Sequence, residues 1–170
     1  MQMCRTRPKA KQEDRIEIYL FDRDVSKYIQ EASDDGKQYK DWGANVYSAV
    51  LPIPPHRTFD EICIEHFYSD ADIMRKDEHG YRLYMSREFD PNSGNHLTEA
   101  GVYFAGSRGQ LQKPYPKIFE SNIRRLGNDK NIALPKNSFA RNISNKKGDF
   151  KNVSFDNFKC IFELLMEIIR

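Results

Sequence analysis

Residues 15–25 read RIEIYLFDRDV, and this stretch limits the fold more than any other. Ile16, Ile18 and Leu20 alternate with Glu17, Tyr19 and Phe21. A period of two is the mark of a β-strand. Tyr19 and Phe21 on the second face leave few positions for water, so the pattern predicts a central strand covered on both sides, as in α/β sheets. The strand ends at Asp22 and Asp24, with Arg23 between them. In open α/β sheets, ligands bind outside the carboxyl ends of strands. A run that delivers two carboxylates there therefore predicts a site as well as a fold.

The remaining segments fit around this strand. VSKYIQEASDDGK reads as a short helix closed by Gly36. ANVYSAVLPIPP reads as the next strand, which must stop at Pro52 because a proline-rich run cannot donate to a ladder. TFDEICIEHFYSDADIM favours a helix that Thr58 or Asp60 can cap, although its β-branched residues weaken that pattern. YRLYMSREF alternates like a strand, DPNSGNH is a loop, and GVYFAG is a short strand bounded by glycines. PKIFESNIRRL, PKNSFARNISN and SFDNFKCIFELLMEII follow, all read as helical. In the last, Phe155, Phe158, Ile161, Phe162, Leu165, Ile168 and Ile169 keep helical spacing behind Ser154, a candidate cap. The order predicts a three-layer α/β fold with a mostly parallel sheet. An antiparallel excursion lies around residues 80–105, and the C-terminus is helical. Residues 1–14 read as a basic, flexible lead-in and 15–170 as one domain, or a fragment of a larger protein.

Composition excludes some classes. The chain is 12% aromatic and 31% charged, which suits a globular domain rather than a disordered one. No apolar run approaches the roughly 20 residues of a membrane helix, and the N-terminus lacks the apolar core of a secretory signal. Cys4, Cys63 and Cys160 are widely spaced, with no zinc-type pairing, and predict a reduced, cytoplasmic protein. Cys63 and Cys160 sit among apolar neighbours and read as packing residues.

The net charge of +2 conceals an asymmetry: residues 13–105 carry 19 acids against 10 bases, and residues 106–170 carry 13 bases against 6 acids. The basic C-terminal third is a candidate nucleic-acid surface, beside the plainer reading of a solvated basic face.

Several side chains carry candidate chemistry. Asp22 and Asp24 can share one divalent cation, and hard carboxylate oxygens suit Mg²⁺ or Mn²⁺. Alternatively, Asp24 or Ser26 caps the following helix. Glu65, between Ile64 and Phe67, reads as a partly buried carboxylate that needs a partner or a metal. His66 beside it reads as a hydrogen-bonded structural residue, and Asp70 and Asp72 as turn or capping residues. Glu88 and Asp90 follow another strand and join the first pair only if those strand ends are adjacent. Lys136 precedes a helix that Asn137 or Ser138 can cap, a position suited to a phosphate.

The succession FDRD, LPIPPHR, IEHFYSDADI and LPKNSFARNI resembles the Toprim-like region of bacterial nucleases of the overcoming-lysogenisation-defect type and similar phage-defence proteins. The resemblance spans roughly residues 15–145. It implies Asp22 and Asp24 as metal ligands, Glu65 as a further carboxylate, Lys136 as a phosphate-stabilising group, and cleavage of DNA phosphodiesters with Mg²⁺ or Mn²⁺. Toprim domains also carry a glutamate on a strand well upstream of the D-x-D. Glu13 and Glu17 lie too close to Asp22 for that role, which implies a fragment, an inactive descendant, or a subunit completed by an ATPase or an N-terminal partner chain.

Two other classes compete. In a haloacid-dehalogenase-like phosphotransferase, Asp22 would attack phosphate and Asp24 would protonate the leaving group. In a non-catalytic interaction module, Trp42, Tyr47 and Tyr81 would serve a partner.

Overall fold

The computed structural model describes residues 2–6, 15–34 and 36–170. In chain order its elements are α1 (Gln2–Thr6), β1 (Glu17–Phe21), α2 (Ser26–Ala32), β2 (Tyr39–Asp41), β3 (Val46–Val50), α3 (Asp70–Ile73), β4 (Tyr84–Met85), β5 (Val102–Phe104), β6 (Ile118–Phe119), β7 (Ile123–Arg125), α4 (Lys136–Ser144) and α5 (Lys159–Ile168). Short 3₁₀ turns lie between several of them. The fold is mixed α/β with small sheets and a C-terminal helix. It divides into two compact units. One comprises the residues up to Phe67 together with Phe155–Arg170; the other is Tyr68–Ser154.

The first unit holds a three-stranded sheet in the order β1-β3-β2. β1 runs parallel to β3, with Glu17 opposite Val46 and Phe21 opposite Val50. β2 runs antiparallel to β3. The central strand is therefore β3, not β1 as the alternation predicts. Small residues explain the exchange. Ser48 and Ala49 let helices approach β3 closely, and Val46, Ala49 and Val50 are fully buried. Leu20 on β1 remains 39% exposed. Residues 7–14 of the expected basic lead-in lie outside the described residues, while residues 2–6 form α1, with Cys4 buried.

α5 supplies much of this unit's core. Leu164 and Ile168 pack with Ala49 against Ile18, Tyr39 and Tyr47. Ile161 joins Leu51, Ile62 and Phe67. Burying each of these aliphatic side chains contributes about 1.5–3 kcal/mol. On β3, Ser48 accepts the Trp42 indole N–H at 2.8 Å and donates to the Ala32 carbonyl at the end of α2 at 2.8 Å. The chain leaves this unit at Phe67 and re-enters at Phe155. There Asn157 Nδ2 donates to the Phe67 carbonyl at 3.1 Å, and the Phe67 and Phe158 rings lie 5.2 Å apart. Ser154 is not the N-cap of α5: a 3₁₀ turn at Asp156–Phe158 leads into the helix, whose N-cap is Phe158.

In the second unit β4 pairs with β6 and β5 with β7, both antiparallel. Tyr84, Phe89, Val102, Phe104, Phe119 and Ile123 form its core, with Phe104 stacked on Phe119 at 4.3 Å. Gly106 is obligatory, because a Cβ there would overlap the Phe104 ring. PKIFESNIRRL is not a helix. It forms β6 and β7, joined through Asn122, whose φ of 62° marks a left-handed turn that a helix cannot contain. The expected long helix of TFDEICIEHFYSDADIM is likewise reduced to a 3₁₀ turn at Ile64–Phe67 and the single turn of α3, capped by Ser69. The strand read in YRLYMSREF is only the two residues of β4.

Candidate functional site

β1 ends where its parallel partner β3 ends, and the loops beyond both lie at the carboxyl ends of the pair. Here the backbone N–H of Arg23 donates to the Ile62 carbonyl at 2.7 Å, which fixes the D-x-D loop to the rest of the unit. Asp22 and Asp24 are exposed, while Arg23 is half-buried. Arg23 is thus the least exposed of the three.

Arg23 lines a cleft of about 490 Å³. Pro52 and Ile53 after β3, and Gly36, Lys37 and Gln38 before β2, line it as well. Cys160, Glu163, Leu164 and Glu167 of α5 complete it, spaced as one helix face. Among the described residues, the Arg23 Nε is the one buried side-chain nitrogen or oxygen without a hydrogen-bond partner. Such an atom costs about 1–3 kcal/mol when left unsatisfied. Glu163 is engaged by Lys159 at 3.5 Å, and neither Glu163 nor Glu167 forms an ion pair with Arg23. Burial pushes the Cys160 thiol above its ordinary value, and its Sγ donates to the Asn157 carbonyl at 3.2 Å. Cys160 therefore presents a thiol rather than a nucleophilic thiolate.

Glu65 and His66 lie on the 3₁₀ turn Ile64–Phe67, both buried. His66 Nδ1 accepts the Cys63 N–H at 3.0 Å, its ring meets Phe59 edge-on at 5.2 Å, and its carbonyl accepts from Arg57 Nε at 2.9 Å. These contacts give His66 the structural role expected of it. Glu65 is not brought together with Asp22 and Asp24: among the described residues, no three His, Cys, Asp or Glu side chains gather as a metal would require.

Lys136 belongs to the second unit, at the first position of α4. Neither Asn137 nor Ser138 caps this helix; the N-cap is Pro135. The Glu120 carboxylate takes the capping place, accepting the Lys136 N–H at 2.8 Å. A carboxylate thus occupies the helix start where a phosphate was expected. Asp72 is held by Ser69 and Arg75, and Asp70 pairs with Arg87. Asp90 accepts the N–H groups of Asn92 and Ser93, and these bonds hold its carboxyl below the usual range.

The second unit also contains a buried charge network that the sequence reading missed. Arg82 pairs with Glu88 at 2.6 Å and Glu99 at 2.8 Å, and its guanidinium lies 3.8 Å from the Tyr84 ring centre. His96 Nδ1 accepts the N–H groups of Thr98 and Glu99, and its Nε2 lies 3.2 Å from Arg82 Nη2 and 3.3 Å from Glu88 Oε2. Glu88 Oε1 accepts the Met85 N–H at 2.6 Å. Glu88 is therefore part of this network rather than a spare ligand. The weak sequence signal was Arg82 among the apolar residues of YRLYM.

Comparison with known proteins found no matching protein-family model, no matching curated protein and no matching solved structure. Among the described residues, no helix is long and apolar enough to cross a membrane.

Proposed function

We propose that the first unit is a divalent-cation-dependent domain acting on phosphodiesters, or the remnant of one, with Asp22 and Asp24 as ligands to Mg²⁺ or Mn²⁺. One observation carries this reading: two exposed carboxylates directly follow a strand whose neighbour runs parallel to it. That is where α/β folds place their ligands. The three-layer, Toprim-like arrangement and the DNA substrate belong to this proposal. The helices α2 and α5, which meet β3 through Ser48 and Ala49, are compatible with it. β1 at the edge of its sheet, among the described residues, supports completion by a partner chain, since an added strand pairs at an edge. With two carboxylates and the rest of the shell from water, the cation is expected to bind weakly alone and more tightly with DNA present.

The test is Mn²⁺ uptake by the full chain, followed through the paramagnetic resonance of free Mn²⁺, with and without plasmid DNA. Uptake should rise with DNA and be lost in Asp22→Asn. Equal uptake by the wild-type chain and Asp22→Asn would sink the assignment. Supercoiled-plasmid nicking in the same samples reports whether the chain cleaves by itself.

A further inference from the structure

We infer that the cleft on the Arg23 side of the D-x-D loop is a binding site for a small zwitterion, with a carboxylate seated on Arg23 and an ammonium facing the carboxylates of α5. This site is separate from the proposed cation site, because Arg23 lines the cleft and Asp22 and Asp24 do not.

Three observations lead to the ligand. First, the Arg23 Nε is buried without a partner. A guanidinium is a planar fork matched to a two-oxygen anion, and an oxyanion in the cleft offsets the charge of an arginine that no carboxylate among the described residues pairs. Second, the charges are segregated by element. Arg23 and Lys37 come from the strand-side loops, and Glu163 and Glu167 from the helix. The cleft is therefore positive on one side, negative on the other and neutral in sum. A multiply charged phosphate on Arg23 would meet repulsion from the glutamates, whereas a ligand with opposite charges at its two ends is complemented at both. Third, Pro52, Ile53 and Leu164 add apolar surface to the lining, suited to a short hydrocarbon spacer. A volume of about 490 Å³ lies within the usual range for small-molecule sites.

The experiment uses the ¹⁵N-labelled full chain in EDTA, so that its outcome is independent of any cation at Asp22 and Asp24. The Arg23 Nε–H resonance, assigned by its loss in Arg23→Lys, is followed while probes are added. The probes are acetate, inorganic phosphate, methylammonium, and ω-amino carboxylates from β-alanine to 6-aminohexanoate. One member of the amino-carboxylate series should shift this resonance and bind about tenfold tighter than acetate or phosphate, the effect of one added charge-assisted contact. Arg23→Lys should weaken that probe about tenfold. Glu167→Gln, on the exposed helix surface, should remove the preference over acetate even if Arg23→Lys folds poorly. Absence of binding by every amino carboxylate would overturn the inference. So would phosphate binding as tightly as the best of them, or full affinity retained in both variants.

Discussion

Two clusters of charge in this molecule contrast in how their polar atoms are satisfied. In the second unit, Arg82 is buried, yet it has two carboxylates and an aromatic face. His96 and Glu88 are likewise bonded to backbone groups. In the first unit, Arg23 sits between two aspartates in sequence, but its Nε is buried and unpartnered. A buried charge that is fully paired holds a fold in one arrangement, while an unsatisfied one stores free energy that a ligand can release. Both clusters are dense in charge; what separates them is how completely the buried polar atoms are satisfied.

The contrast is most open to challenge at the two arginines. Replacing Arg82 by Met strands Glu88 and Glu99 without their cation. Urea denaturation of the full chain should show a loss of about 3–5 kcal/mol. A loss below 1 kcal/mol would mean that the network is not what holds that unit together. Arg23→Met should do the opposite. Removing the orphaned donor should leave stability unchanged or raise it by about 1 kcal/mol. A large loss would make Arg23 structural and erase the difference between the clusters.

The smallest effect is in acid. Burial tends to raise the Glu99 carboxyl, but the hydrogen bond and charge of Arg82, with His96 and Lys76 nearby, outweigh it and hold the group below its ordinary value. A depressed folded value contributes stability above the unfolded value of about 4.3, and that contribution disappears as pH falls through the folded value. Stability measured from pH 6 down to 2 should fall less steeply below about pH 4 in Glu99→Gln than in the wild-type chain. An identical slope would show that the Arg82 pair is not linked to protonation.

The same contrast explains which parts of the structure were legible in the sequence. Hydrophobic period operates locally, so β1, α2, β3, β5, α4 and α5 were readable as elements, whereas the caps expected of α2, α4 and α5 are not their N-caps. The rank of β1 was not. Its alternation matches a buried strand, but the choice of centre depends on how closely helices approach Ser48 and Ala49, a tertiary property. PKIFESNIRRL carries helical spacing, and the left-handed turn at Asn122 overrides it. The D-x-D pair was visible as chemistry because two aspartates are conspicuous. Arg23 between them was not, since only the structure reveals a buried nitrogen without a partner. Lys136 at a helix start was also visible, but Glu120, the carboxylate that caps that start, lies sixteen residues away.

The return of the chain at Phe155 has a consequence for biosynthesis. Residues 68–154 are spliced into the first unit through two adjacent ends, where Asn157 reaches the Phe67 carbonyl. β1, which leads to Asp22 and Asp24, and β3 emerge from the ribosome well before Leu164 and Ile168, which pack with Ala49 against Ile18. At about 5–20 residues per second the half-built sheet waits on the order of ten seconds for its helix. Throughout that interval the nascent chain presents an uncovered apolar strand surface, the kind of surface chaperones bind. The inserted unit, with a core of its own, is free to fold while the first one waits.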